Sequence, residues 1–176
     1  MIIRPVLPSD AKELLAIYAP YVTDTTITFE YDIPSISEFT NRIKNISKSF
    51  PYLVAEENGK VVGYAYASTY YARAAYDWTC ELSIYLDKDA RSKKIGSQLY
   101  DTLEKELVSQ GYVNLLACIS LPNDISIAFH KKRGFNQVAH FPKIGFKFEQ
   151  WHDIVWLQKR LKSKDYLKIY FKLAKD

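Results

Sequence analysis

Residues 81–107 pass from an apolar run, ELSIYLD, through DARSKKIGS into an amphipathic run, SQLYDTLEKEL. A strand that hands over directly to a helix leaves the chain few options, and here the handover carries Arg91, Ser92, Lys93, Lys94, Ile95 and Gly96. The first turn of a helix has unpaired backbone N–H groups and partial positive charge, and a glycine there lets a ligand approach the backbone. With three added cations the junction suits an anion, above all a phosphate or pyrophosphate. It is neither a Walker loop, since no GxxxxGK[ST] is present, nor a dinucleotide fingerprint, since it has one glycine. On these residues alone, an ordinary basic turn with solvated charges remains the alternative.

The remaining elements follow from periodicity and punctuation. MIIRPV reads as a first strand, and PSDAKELLAIYAPYV as a helix capped by Ser9 or Asp10. DTTITFEYDIPS is a loop or extended segment, and SISEFTNRIKNISKS is a second helix starting at Ser37–Glu38. YLVAEENGKVVGYAYASTYY is a hairpin turning at Asn58–Gly59, because a two-residue turn needs positive φ at both positions. YDWTCELSIYLDK is a strand, and the helix after it stops at Gly111. YVNLLACIS reads as a strand buried on both faces, and NDISIAFHKKRG as a short helix capped by Asn123 and ended by Gly134. Two further strands complete the order β-α-α-β-β-β-α-β-α-β-β, an α/β class with no internal repeat or linker.

The 176 residues suit one domain, over 1–161, followed by a Lys-rich extension, 162–176. That tail, KSKDYLKIYFKLAKD with residue 162 as its first Lys, reads either as a loosely packed extension or as a short amphipathic partner or membrane-surface segment. A net charge of +4 with no long basic block in the body argues against a nucleic-acid partner. The N-terminus lacks the long apolar core of a signal peptide and no run reaches membrane-spanning length, so a cytoplasmic protein without a membrane partner is expected. Cys80 and Cys118 lack metal-ligand spacing and are read as two buried free thiols.

Some residues carry chemistry on their own terms. Glu81 lies inside an apolar strand near Trp78. Facing a cleft, its carboxylate would be desolvated and basic enough to take a proton from an amine; on a solvated edge or beside an Arg it would be inert. His130 titrates near neutrality and is either a proton carrier or a helix-surface residue beside Lys131. Arg73 sits in a loop between two strands, where a guanidinium can grip a carboxylate or a second anionic head, with Phe29, Tyr31 and Tyr76 as pocket walls. A solvated loop charge is the other reading of Arg73. Trp151, His152 and Asp153 form a compact motif without an assigned chemical step, and His140 has no role.

Arg91-x-x-Lys94-x-Gly96, after a strand and before a helix, resembles motif A of the GNAT acetyltransferases, with Lys94 where that motif has its first glycine. TITFEYDIPS, AYDWTCELSIYL, GYVNLLACISLPNDISIAFHKKRGF and WHDIVWLQKRL are similar to the phosphinothricin N-acetyltransferase branch of that superfamily. The resemblance implies a mixed central sheet of about seven strands, splayed after the fourth and flanked by about four helices. It implies acetyl-CoA as co-substrate, no metal, a homodimer, and N-acetylation of a small amino-acid-like amine such as phosphinothricin or methionine sulfone or sulfoximine. It places the general base at Glu81, a proton-transfer role at His130, and the pyrophosphate at Arg91, Ser92, Lys93, Lys94, Ile95 and Gly96. It places the pantetheine arm along the backbone of Ser83, Ile84 and Tyr85 and against Asn123. Two alternatives stay open: another acceptor, such as a polyamine or a protein N-terminus, and a non-catalytic acyl-CoA-binding module.

Overall fold

The computed structural model describes residues 1–90 and 94–161; Arg91, Ser92, Lys93 and the 162–176 tail lie outside the described residues. Seven strands form one sheet: β1 (Ile2–Pro5), β2 (Tyr52–Glu57), β3 (Lys60–Thr69), β4 (Thr79–Leu86), β5 (Asn114–Ser120), β6 (Asn136–Lys147) and β7 (Gln150–Arg160), in the spatial order β1-β2-β3-β4-β5-β7-β6. Four α-helices accompany it: α1 (Ala11–Asp24), α2 (Ile36–Ile46), α3 (Ile95–Ser109) and α4 (Asp124–Lys132). The element order is the one expected. None of the described helices is long and apolar enough to cross a membrane.

Each face of the sheet buries a different set. On α3, Ile95, Leu99, Tyr100, Leu103 and Leu107 recur at helical spacing and pack on Ala65, Leu82, Leu115, Ala117 and Leu157. Each such side chain contributes about 1.5–3 kcal/mol of transfer free energy. On the other face Leu14, Tyr18, Phe39 and Ile43, from α1 and α2, pack on Tyr52, Val54 and Tyr64. The β2–β3 turn has Asn58 at φ 53° and Gly59 at φ 76°, the two positive values that its sequence demands. The α2 cap lies two residues earlier than expected. Ser35, not Ser37, accepts the Glu38 N–H at 3.1 Å, because Ile36 already has helical geometry.

The sheet's functional feature is a divergence. Among the described residues β4 and β5 form the one parallel pair, and they pair only through Thr79↔Asn114, Cys80↔Leu115 and Glu81↔Leu116. Beyond Glu81, β4 continues with β3 as far as Gly63↔Leu86, and β5 continues with β7 as far as Ser120↔Ile154. The facing edges Leu82–Leu86 and Ala117–Ser120 therefore have no ladder in common. One cysteine expectation fails here. Cys80 is buried, but Cys118 is exposed, because Leu115, Ala117 and Ile119 take the α3 side of β5 and leave Cys118 on the opposite face. The face of β5 that carries Cys118 still buries Leu116 and Ser120, so the strand is buried on both faces except at Cys118.

Candidate active site

The divergence of β4 from β5 opens a cleft of about 250 Å³. One wall is Glu81, Ser83, Ile84 and Tyr85 of β4; the other is Ala117, Cys118, Ile119 and Ser120 of β5. Tyr100, Asn123, Ser126 and His130 close it on the side of α3 and α4, and Ile27, Thr28 and Phe29 of the loop after α1 close the remaining side.

Glu81 occupies the last position of β4 that pairs with β5, where the two strands part. Burial alone holds its carboxyl above the ordinary carboxylate range. Cys118 is exposed into the same cleft, and partial desolvation of its thiol between the cleft walls, reinforced by Glu81, pushes it up to about 12, so it stays protonated at neutral pH.

His130 is 3% exposed, and both ring nitrogens are engaged. Nδ1 donates to the Ser126 carbonyl at 2.8 Å, which leaves Nε2 to accept from the Tyr100 hydroxyl at 2.9 Å. Phe129 and Phe135 meet the ring edge-on at 5.2 Å. Burial pulls the imidazole below its ordinary value, so it is neutral at neutral pH. Asn123 caps α4 by accepting the Ser126 N–H at 3.2 Å, and so fixes the first turn of the helix that carries His130.

At the head of α3, Lys94 adopts φ 63°, ψ 8°. This is the left-handed region, unfavourable for a side chain with a Cβ, and it is the position where motif A has glycine. Lys94 thus takes a left-handed backbone despite carrying a side chain. Gly96 is closely packed: a Cβ there would come within 3.3 Å of the Ile84 side chain and into ordinary contact with Phe129 at 3.6 Å. The start of α3 lies that close to β4 and α4.

The sequence-derived residues do not all converge. Glu81, Ser83, Ile84, Tyr85, Asn123, His130 and Phe29 line the cleft. Lys94, Ile95 and Gly96 head α3, and Arg91, Ser92 and Lys93 lie outside the described residues. Arg73 and Tyr76 are exposed on the β3–β4 connection and are not part of the cleft lining. Tyr76 belongs to an aromatic group with Tyr70 and Tyr71, and Tyr70 meets Trp156 edge-on at 5.6 Å. Tyr31 donates its hydroxyl to the Phe146 carbonyl. Of the Trp-His-Asp motif, Asp153 accepts from the Lys143 N–H at 2.8 Å and pairs with His140 at 2.7 Å. His152 bonds the Lys147 carbonyl at 2.9 Å. Sequence reasoning missed Tyr100 and Cys118. The available signal for Tyr100 was a hydroxyl on an otherwise aliphatic α3 stripe, which requires a buried partner. Among the described residues no three His, Cys, Asp or Glu side chains cluster as a metal ligand set.

Residues 3–156 match the family described as acetyltransferase (GNAT) domain. The chain is 33% identical over 157 residues to a phosphinothricin N-acetyltransferase of Streptomyces viridochromogenes, covering 89% of this chain and 86% of that protein. It is 30% identical over 164 residues to an L-methionine sulfoximine/L-methionine sulfone acetyltransferase of Pseudomonas aeruginosa, covering 90% and 94%. Among solved structures, a GNAT superfamily phosphinothricin acetyltransferase from Sinorhizobium meliloti in complex with AcCoA superposes with TM-score 0.87 at 34% identity, covering 91% of this chain and 88% of that one.

Proposed function

We propose, for a chain that belongs to the GNAT acetyltransferase family, that it uses acetyl-CoA to acetylate the amino group of a small amino-acid-like molecule of the phosphinothricin or methionine sulfone/sulfoximine class. The observation that carries the reading is a desolvated carboxylate, Glu81, at the point where two strands separate.

The residues present fit the co-substrate. The β4 edge that parts from β5 lines the cleft, so the backbone of Ser83, Ile84 and Tyr85 would hold a pantetheine arm, with Asn123 across from it. The N-terminus of α3, with Lys94 in the left-handed turn and Ile95 and Gly96 behind it, would hold the pyrophosphate together with Arg91, Ser92 and Lys93. When bound, acetyl-CoA supplies an activated acetyl thioester. Glu81 takes a proton from the acceptor ammonium, directly or through water, and its raised pKa keeps it a competent base near neutrality. The Tyr100 hydroxyl donates its one proton to His130 Nε2, so the two stand as a linked unit on the α3 and α4 side of the cleft. His130 therefore takes part in proton handling through Tyr100. Arg73, if it grips the acceptor, does so from the β3–β4 connection.

The exposed pair Phe146 and Trp151, 5.2 Å apart on the β6–β7 hairpin, favours a homodimer, and light scattering at micromolar concentration checks it. The free thiols and the use of acetyl-CoA suit a cytoplasmic enzyme.

A panel of amines assayed for CoA release tests the function. It should contain phosphinothricin, methionine sulfone, a polyamine and a short peptide with a free N-terminus. Release with the first two and not the others is expected. Preference for the polyamine or the peptide would overturn the acceptor class, and acetyl-CoA binding without release to any amine would overturn the enzyme.

A further inference from the structure

Among the described residues two charged side chains are buried on opposite terms. Asp10 is met by the Arg4 guanidinium at 2.8 and 3.0 Å. Lys147, 1% exposed at the end of β6, meets main chain instead. Its ammonium donates to the carbonyls of Val22 at 2.7 Å, Thr25 at 2.8 Å and Thr28 at 2.8 Å, which uses all three of its N–H groups. A buried ammonium is costly unless every donor is satisfied. The last carbonyls of a helix carry partial negative charge, so the end of α1 is a suitable place for a cation.

The segment that Lys147 gathers is the one that turns the chain out of α1 and delivers Ile27, Thr28 and Phe29 to the cleft. Other contacts tie it to the same part of the molecule. The Ser120 hydroxyl donates to the Thr26 carbonyl, and the Tyr18 and Thr28 hydroxyls bond at 2.7 Å. Gly145 leaves room for Phe29, since a Cβ there would lie 2.1 Å from the Phe29 ring. His152 holds the Lys147 main chain from the other side of the hairpin. None of these ties reaches the Lys94 turn.

We propose that Lys147 is a positioning residue for the acceptor. Its buried ammonium fixes the loop 25–29, and the loop seats Thr28 and Phe29 at the acceptor end of the cleft and so sets which amines fit. Lys147 touches no reactant and acts through Phe29 and Thr28. The inference rests on the acetyl-transfer reading of the cleft.

The test compares Lys147→Met, Lys147→Arg and Gly145→Ala with wild type. Lys147→Met removes the donors at similar length. It should raise the acceptor KM by roughly tenfold to hundredfold, the cost of misplacing a reactant by about an ångström, while the acetyl-CoA dissociation constant stays within about twofold. Lys147→Arg keeps a charged donor and should recover part of the loss. Gly145→Ala disturbs Phe29 with Lys147 intact and should move the same acceptor KM, which keeps the proposal open to refutation if Lys147→Met does not fold. Hydrogen exchange should quicken in 25–31 of Lys147→Met while α3 and α4 keep their protection. Unchanged acceptor KM and unchanged exchange in a folded Lys147→Met would overturn the proposal. So would an acetyl-CoA affinity that falls in step with acceptor affinity. If wild type releases no CoA with any amine, the reading of the cleft fails, and the clamp stands or falls on the exchange of 25–31.

Discussion

On the side of the cleft proposed for acetyl-CoA, short consecutive runs do the work: Ser83 to Tyr85 on β4, Lys94 to Gly96 at the head of α3, and Asn123 to His130 on α4. On the acceptor side, Ile27 to Phe29 have no regular structure of their own. The segment from Val22 to Thr28 that delivers them is held by Ser120 and Lys147, which lie 94 to 125 positions away in sequence, together with Tyr18. A wall built from local rules is fixed wherever its elements form, whereas a wall built from distant contacts is fixed only when the whole fold closes on it. The first arrangement suits a ligand that does not vary between relatives, and the second suits one that does.

Glu81 stands where the two sides meet, and replacing it should break the comparison most sharply. Glu81→Gln keeps the shape and removes the proposed base, so turnover should fall by about a hundredfold to ten-thousandfold. Affinity for acetyl-CoA, measured by calorimetric titration, should not change.

Phe29→Ala sharpens the comparison. It removes an aromatic wall worth about 1.5–3 kcal/mol of burial, and should raise the acceptor KM roughly tenfold or more while leaving the acetyl-CoA KM within about twofold. Asn123→Ala is its counterpart on the other side. The loss should fall on the acetyl-CoA KM, and loss of the α4 cap should cost about 1 kcal/mol of stability in a denaturant titration. Equal effects of both variants on both substrates would erase the distinction between the two sides.

Lys94→Gly has the smallest expected effect. It relieves a residue held at φ 63° and should stabilise the protein by about 1 kcal/mol, seen in calorimetry as a rise in Tm of about 2–4 °C. The opposite sign would mean that the Lys94 side chain contributes more to the folded state than its backbone strain removes.

The same division explains what the sequence disclosed. The β2–β3 turn, the Asn123 cap and the α3 stripe depend on residues within a few positions of one another, and all were legible. For Lys94 the resemblance marked only a position that carries glycine in motif A and left open whether a lysine would keep the turn, since lysine has no preference for that conformation. The exposure of Cys118 depends on which half of the sheet α1 and α2 cover, and nothing in YVNLLACIS encodes that. Lys147 is the clearest case. In GFKFEQ the aromatic residues would be placed inside and the lysine outside, yet Phe146 and Phe148 are exposed and Lys147 is buried. The three carbonyls that reverse the pattern come from α1 and its following loop, far away in sequence.

The central claim is that the ionised, desolvated carboxylate of Glu81 is the base, and the pH dependence of kcat/KM for the acceptor tests it directly. Burial raises the Glu81 pKa, so activity should be present above that raised value and lost as pH falls through it, giving an acidic limb above the usual carboxylate value of about 4.3. Burial holds His130 below its ordinary value, so it is neutral at neutral pH. In Glu81→Gln the acidic limb should vanish, leaving only the ionisation of the acceptor's own ammonium. Superimposable profiles and equal rates for wild type and Glu81→Gln would contradict the account.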